Sequence, residues 1–271
     1  MSDHLKIRVA KDAGFCFGVR DAIEKAREVA QEHGKVYMLG DIVHNERVVK
    51  DLAQENVKVV DSLAEVKNAP VLFRAHGTIP ELWVEAGRKD LTIVDATCPL
   101  VHEIHDEIKK LDVEGRKLII IGDHGHDEVV AIRAQVTEAI IIASIAEAEA
   151  LPRMKKAGVV SQSTQMIENV QEIIGILSMK IFDLRFVNTV CFPTRRNQGQ
   201  IKEIAPISDV MIIVGSFTSA NTKRLHEVSL SLNPRSYMVE NANDIQESWF
   251  DMAESVGVSA GASSPDDLIE E

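Results

Sequence analysis

Short runs of branched apolar residues alternate along this chain with longer stretches whose apolar positions recur every three or four residues. The runs are residues 7–10, 36–39, 71–73, 91–94, 118–121, 158–160, 186–190, 210–214 and 256–258, and runs of this length between turn signals read as buried strands. Helical spacing is carried by Val19, Ile23, Ala26 and Ala30, by Leu100, Ile104, Ile108 and Leu111, by Ile167, Val170 and Ile174, and by Ile201 and Ile204. Strands alternating with helices in this way predict βαβ units and parallel sheets, the α/β class.

The alternation hides a longer period. Cys16, Cys98 and Cys191 each fall where a strand hands over to a helix. His44, His126 and Ser219 follow them at an identical offset of 28 residues, each after a strand ending in glycine and each at a helix opening. A third strand–turn–helix step places His76, Thr164 and Ser263 in its turns, at looser offsets of 60, 66 and 72. Three similar α/β units with mostly parallel sheets are therefore predicted, at 14–95, 96–188 and 189–271, with an N-terminal strand, 5–10, free to join another unit. In open parallel sheets ligands bind beyond the carboxyl ends of the strands. A trefoil-like arrangement about a pseudo-threefold axis would thus bring these residues, with Glu128 and Asn221, to one central cavity.

Composition narrows the class. The 271 residues are 45% hydrophobic, enough for a full core, and the net charge of −12 argues against nucleic acid as a partner. No apolar stretch approaches the roughly 20 residues that span a bilayer. The first six residues do not read as a signal peptide, and three cysteines far apart make no disulfide framework. A soluble cytoplasmic protein is expected.

The cysteines carry the candidate chemistry. Pro99 suits the first helical position, and a helix N-terminus aimed at the Cys98 sulfur favours the thiolate. One such cysteine would be read as an ordinary buried residue; three at one structural address suit a metal centre. Three thiolates leave a coordination position open, on one iron of an iron–sulfur cluster or on zinc with histidine or water as fourth ligand. Spacing alone does not separate the two metals. His44 and His76, at helix-opening turns, suit an anion. Ser219, Asn221 and Ser263 would singly be helix caps, but donors from separate units around one cavity suit a diphosphate. Glu128 is the carboxylate best placed to move a proton, although a first-turn glutamate also favours the helix dipole. The run His124-Gly125-His126-Asp127-Glu128 lacks the i, i+4 histidine spacing of a helical zinc motif.

These residues resemble a known family, the 4-hydroxy-3-methylbut-2-enyl diphosphate reductases of the non-mevalonate isoprenoid pathway. The matching stretches are Ala13-Gly14-Phe15-Cys16, Val43-His44-Asn45, Arg74-Ala75-His76-Gly77, Asp95-Ala96-Thr97-Cys98-Pro99 and His126-Asp127-Glu128-Val129. Gln162-Ser163-Thr164, Thr189-Val190-Cys191, Ser219-Ala220-Asn221 and Gly261-Ala262-Ser263 complete the set. The resemblance implies a 4Fe-4S cluster on Cys16, Cys98 and Cys191, its fourth iron open to the substrate's allylic alcohol. It implies a diphosphate site of His44, His76, His126, Ser219, Asn221 and Ser263, with Glu128 delivering protons and Thr164 beside the hydroxyl. A reduced ferredoxin or flavodoxin would supply two electrons, giving isopentenyl and dimethylallyl diphosphates, and a monomer is expected. The chain departs from the family at Asp127, where proline is usual, a change expected to loosen the turn carrying Glu128. Ala220 stands where serine is common, and Pro193 and Asn197 where alanine and arginine are frequent. Two rival readings are a zinc-dependent hydrolase of a diphosphate ester and a non-enzymatic iron–sulfur sensor; Glu128 and Thr164 argue against the sensor, which has no use for a proton donor.

Overall fold

In a computed structural model, residues 5–271 are described. Met1 to His4, and with them most of the segment read above for a signal peptide, lie outside the described residues. The first stretch contains β1 (Lys6–Val9), α1 (Phe17–His33), β2 (Val36–Leu39), α2 (Glu46–Gln54), β3 (Val57–Val60), β4 (Val71–Phe73), α3 (Pro80–Arg88) and β5 (Ile93–Asp95). The middle contains α4 (Pro99–Val113), β6 (Lys117–Ile121), α5 (Asp127–Arg133), β7 (Ile140–Ile142), α6 (Ile145–Ala150), β8 (Met154–Ser161), α7 (Ile167–Lys180) and β9 (Ile181–Phe186). Then come α8 (Phe192–Ile204), β10 (Val210–Val214), α9 (Ala220–Leu232), β11 (Ser236–Val239), β12 (Ser255–Ala260) and α10 (Asp266–Glu270).

The α/β class and the repeat are borne out. Three four-stranded sheets share one strand order: β3-β2-β4-β5, β7-β6-β8-β9 and β11-β10-β12-β1. Neighbouring strands in all three pair in parallel. β1 is the fourth strand of the last sheet, with Ile7 opposite Val256 and Val9 opposite Val258. The chain's start therefore supplies the edge that β5 and β9 supply to the other two sheets.

The central strands are mostly apolar because both of their faces are covered, as parallel sheets require. On β6, Leu118 and Ile120 pack with Ile104, Ile108 and Leu111 of α4 and Val129 and Ile132 of α5. Ile119 and Ile121 point the other way, onto Val170, Ile173 and Leu177 of α7. The last sheet buries Val210, Ile212, Val214, Val239 and Val256 with Leu268 of α10.

The described chain falls into two compact units. The smaller comprises the described residues up to Arg20, Val43–Val48 and Phe192–Glu271, and holds the sheet closed by β1. The larger comprises Asp21–Ile42 and Val49–Cys191, and holds the other two sheets.

Two features differ from the expectation. β3, β7 and β11 are edge strands of three or four residues that the apolar pattern did not single out. Strands this short barely register a period. β9 ends at Phe186 rather than running toward Cys191. The intervening loop is instead pinned by Thr189, whose Oγ1 accepts from Ser161 N at 2.7 Å and donates to Ser161 O at 2.6 Å.

Candidate active site

The backbone of each cysteine is held in the same way. Each directly precedes a helix, α1, α4 or α8, and follows the edge strand of its sheet. Each N–H donates to a carbonyl in the loop that leaves the neighbouring strand: Cys16 to Ala262 at 3.1 Å, Cys98 to Ala75 at 3.0 Å and Cys191 to Ser163 at 2.9 Å. The residue after each acceptor is Ser263, His76 or Thr164, the third set of predicted site residues. Each ladder runs one bond past its strands, through Ala10 to Val258, Ala96 to Phe73 and Val187 to Val159, and the cysteine bond then ties the two exit loops together further on. All three cysteines are half-buried. At Cys98 the geometry read from sequence holds, with Cys98 at the helix cap and Pro99 in the first turn.

Within the larger unit the predicted residues form a connected series from Cys98 to Cys191. The ring of His76, next to Ala75, stands edge-on to His126, centroids 5.8 Å apart at 82°. His126 caps α5, its Nδ1 accepting from Glu128 N at 3.1 Å, which leaves the ring proton on Nε2 when the imidazole is neutral. Glu128, 2% exposed, takes two bonds from one serine: Ser163 N to Oε1 at 2.6 Å and Ser163 Oγ to Oε2 at 2.7 Å. Ser163 in turn accepts from Cys191. Gln162, fully buried, donates from Nε2 to Thr164 Oγ1 at 3.1 Å and accepts from Asp123 N at 3.0 Å. Thr164 is thus oriented by a side chain that is itself anchored.

Ser163 and Gln162 had no role assigned from sequence. Their signals were their place in the third turn of the repeat and in the stretch Gln162-Ser163-Thr164 that carries the resemblance, but Ala75 and Ala262 use the position of Ser163 for backbone contact alone. His124 turns away from the others, its Nε2 lying 2.8 Å from Glu147, so His124-Gly125-His126 is not a shared ligand set. Asp127, expected to loosen this turn, bonds Arg74 through its carboxylate at 2.7 Å.

Within the smaller unit, Asn45 caps α2, accepting from Arg47 N at 3.0 Å and Val48 N at 3.3 Å. Its Nδ2 donates to Ser263 O at 2.8 Å. His44 is thereby seated one residue before the cap, where His126 and Ser219 are themselves the caps. Ser219 caps α9 through Thr222 N at 3.3 Å, and Ser263 Oγ reaches Ser219 Oγ at 3.4 Å. Asn221 is 7% exposed, and its Nδ2 has no hydrogen-bond partner among the described residues. A buried amide in that state calls for an acceptor.

Comparison with known proteins shows the family to which the chain belongs. The chain matches the LytB protein family over residues 7–271. It is 40% identical over 268 residues to the 4-hydroxy-3-methylbut-2-enyl diphosphate reductase of Geobacter metallireducens, covering 98% of this chain and 95% of the relative. The corresponding Geobacter sulfurreducens reductase is 41% identical with the same coverage. A solved structure of (E)-4-hydroxy-3-methyl-but-2-enyl diphosphate reductase, described as the terminal enzyme of the non-mevalonate pathway, shares 36% identity at a TM-score of 0.70, covering 98% of this chain and 97% of that one. The Plasmodium falciparum reductase shares 26% identity at a TM-score of 0.94, covering 98% of this chain and 86% of that one. These matches favour the reductase over the zinc hydrolase, and iron–sulfur dependence belongs to the family. The chain is a member of the LytB family, the family of the 4-hydroxy-3-methylbut-2-enyl diphosphate reductases.

Proposed function

We propose that this protein reductively dehydroxylates (E)-4-hydroxy-3-methylbut-2-enyl diphosphate to isopentenyl and dimethylallyl diphosphates in the cytoplasm. The reaction takes up two electrons and two protons, and the allylic hydroxyl leaves as water. The observation that carries the reading is the identical seating of Cys16, Cys98 and Cys191, in a chain of this family. Each lies at a helix N-terminus, where thiolate is favoured, and three thiolates fit a 4Fe-4S cluster with one iron left for a substrate oxygen. Bound there, such a cluster would relay the electrons and offer a Lewis-acidic iron to the hydroxyl.

The chain's own groups do the rest. Glu128 delivers protons from a carboxylate whose position is set by Ser163, which favours transfer along a defined path. Thr164, oriented by Gln162, holds the substrate hydroxyl. His44, His76, His126, Ser219, Asn221 and Ser263 hold the diphosphate, and their largely neutral donors accept an anion despite the acidic chain. A ferredoxin- or flavodoxin-like carrier supplies the electrons to a monomeric enzyme.

Iron and acid-labile sulfide analysis of anaerobically purified protein, with its visible spectrum, is the first test; a colourless zinc protein would overturn the proposal. Turnover of the hydroxymethylbutenyl diphosphate with a low-potential reductant is the second. Glu128→Gln should keep the spectrum and lower turnover by roughly 10²-fold or more, the scale of a lost general acid. Undiminished turnover removes Glu128 from the mechanism.

A further inference from the structure

One ion pair joins the two histidine-bearing turns of the larger unit. Arg74 lies in the turn after β4, two residues before His76; Asp127 is the first residue of α5, between His126 and Glu128. Arg74 Nη1 donates to Asp127 Oδ2 at 2.7 Å, and the two side chains are only 25% and 32% exposed. The guanidinium is confined from the side of β2 as well: a Cβ built on Gly40 would stand 2.8 Å from Nη1. A carboxylate oxygen of Asp127 and a ring nitrogen of His76 lie within 4.8 Å of each other. The pair therefore spans two sheets and sits beside the edge-on rings of His76 and His126.

Resting on the diphosphate site proposed above, we propose that Arg74 and Asp127 are positioning residues that set the spacing between His76 and the His126–Glu128 turn, and keep the Asp127 charge neutralised beside that site. An aspartate at the first helical position leaves the turn less restrained than a proline would. A bond to a second sheet supplies the missing restraint. Its partial burial limits screening of the pair by solvent and salt. The sign of each substitution follows. Removing Arg74 leaves a carboxylate facing an anion site, whereas removing Asp127 loosens the turn but leaves a guanidinium there, whose attraction for the anion offsets part of the loss.

The test is calorimetric titration of the cluster-loaded protein with inorganic diphosphate, alongside KM and kcat for the reductase substrate. Arg74→Gln should weaken diphosphate binding roughly tenfold and Asp127→Asn roughly threefold. The double variant should return to about the affinity of Asp127→Asn, the non-additivity expected of residues in contact. The effect should fall on KM more than kcat, with the cluster spectrum and thermal midpoint unchanged. A role confined to stability would move the midpoint and spare the affinity. If Arg74→Gln does not accumulate, Arg74→Met with and without Asp127→Asn carries the same comparison, since it too removes the charge. Multiplicative effects, unmoved affinities or a parent protein that does not bind diphosphate would overturn the inference. A parent that binds diphosphate with this coupling, yet does not turn over the substrate, defeats the proposed function and leaves the ion-pair assignment standing.

Discussion

Beside the His76 turn a buried imidazole gives a pH-dependent cost. His105 of α4 is 5% exposed, and its ring faces Gly77, where an added Cβ would stand 2.8 Å from Cε1. Gly77 has φ +87, a conformation that suits glycine. Burial is the main reason the His105 pKa falls to about 4, with His102 and Lys109 adding to the shift and Asp106 and Asp95 opposing it. The unfolded chain titrates near the ordinary value of about 6.5. Between those two pH values the unfolded state binds a proton that the folded state refuses. Stability is therefore undiminished above about pH 6.5 and declines as the pH falls toward 4, by about 3 kcal/mol from this residue. Urea denaturation between pH 7 and 4.5 should show a shallower decline for His105→Leu than for the parent; equal slopes would refute the assignment. At this scale the sequence was legible where a residue type and its turn coincide, as at Cys98 and Glu128. It was silent on Ser163, whose hydroxyl finds Glu128 only because the turns after β6 and β8 are brought together.

α4 carries Cys98 at its N-terminus and packs along the middle sheet. Its first turn is set by Cys98 and Pro99, while Ile104, Ile108 and Leu111 are packed on the middle sheet. Gly158 of β8 allows the closest approach, since a Cβ there would come within 2.9 Å of Leu111 Cδ2. Gly158→Ala should cost about 1–3 kcal/mol by overpacking. Leu111→Ala in the same chain should recover part of that loss. Additive losses in chemical denaturation would place the strain elsewhere. Periodicity made α4 readable, because one apolar stripe on a long helix survives any choice of partner. The edge strands β3, β7 and β11 were not readable, because a strand of three or four residues is specified by the neighbour it pairs with.

Across the whole chain, three sheets of one strand order present their cysteines at equivalent edges. If the three thiolates share one metal group, its binding energy is also folding energy. Removing iron anaerobically with a chelator should lower the thermal midpoint by about 5 °C or more at this chain size; an unchanged midpoint would argue against a shared group. Among the described residues no helix is long and apolar enough to cross a membrane, in line with the apolar pattern. By itself the sequence determined the α/β class, the parallel strands, the repeat and the address of each cysteine, because all of these follow from local periodicity and turn chemistry. Tertiary structure decided that β1 closes the last sheet and that cysteine N–H groups bond to neighbouring turns. It also decided that Ser163 holds Glu128 and that Asp127 meets Arg74. Each of those depends on which distant segments become neighbours, and hydrogen bonds and ion pairs are short-ranged interactions that no linear pattern records.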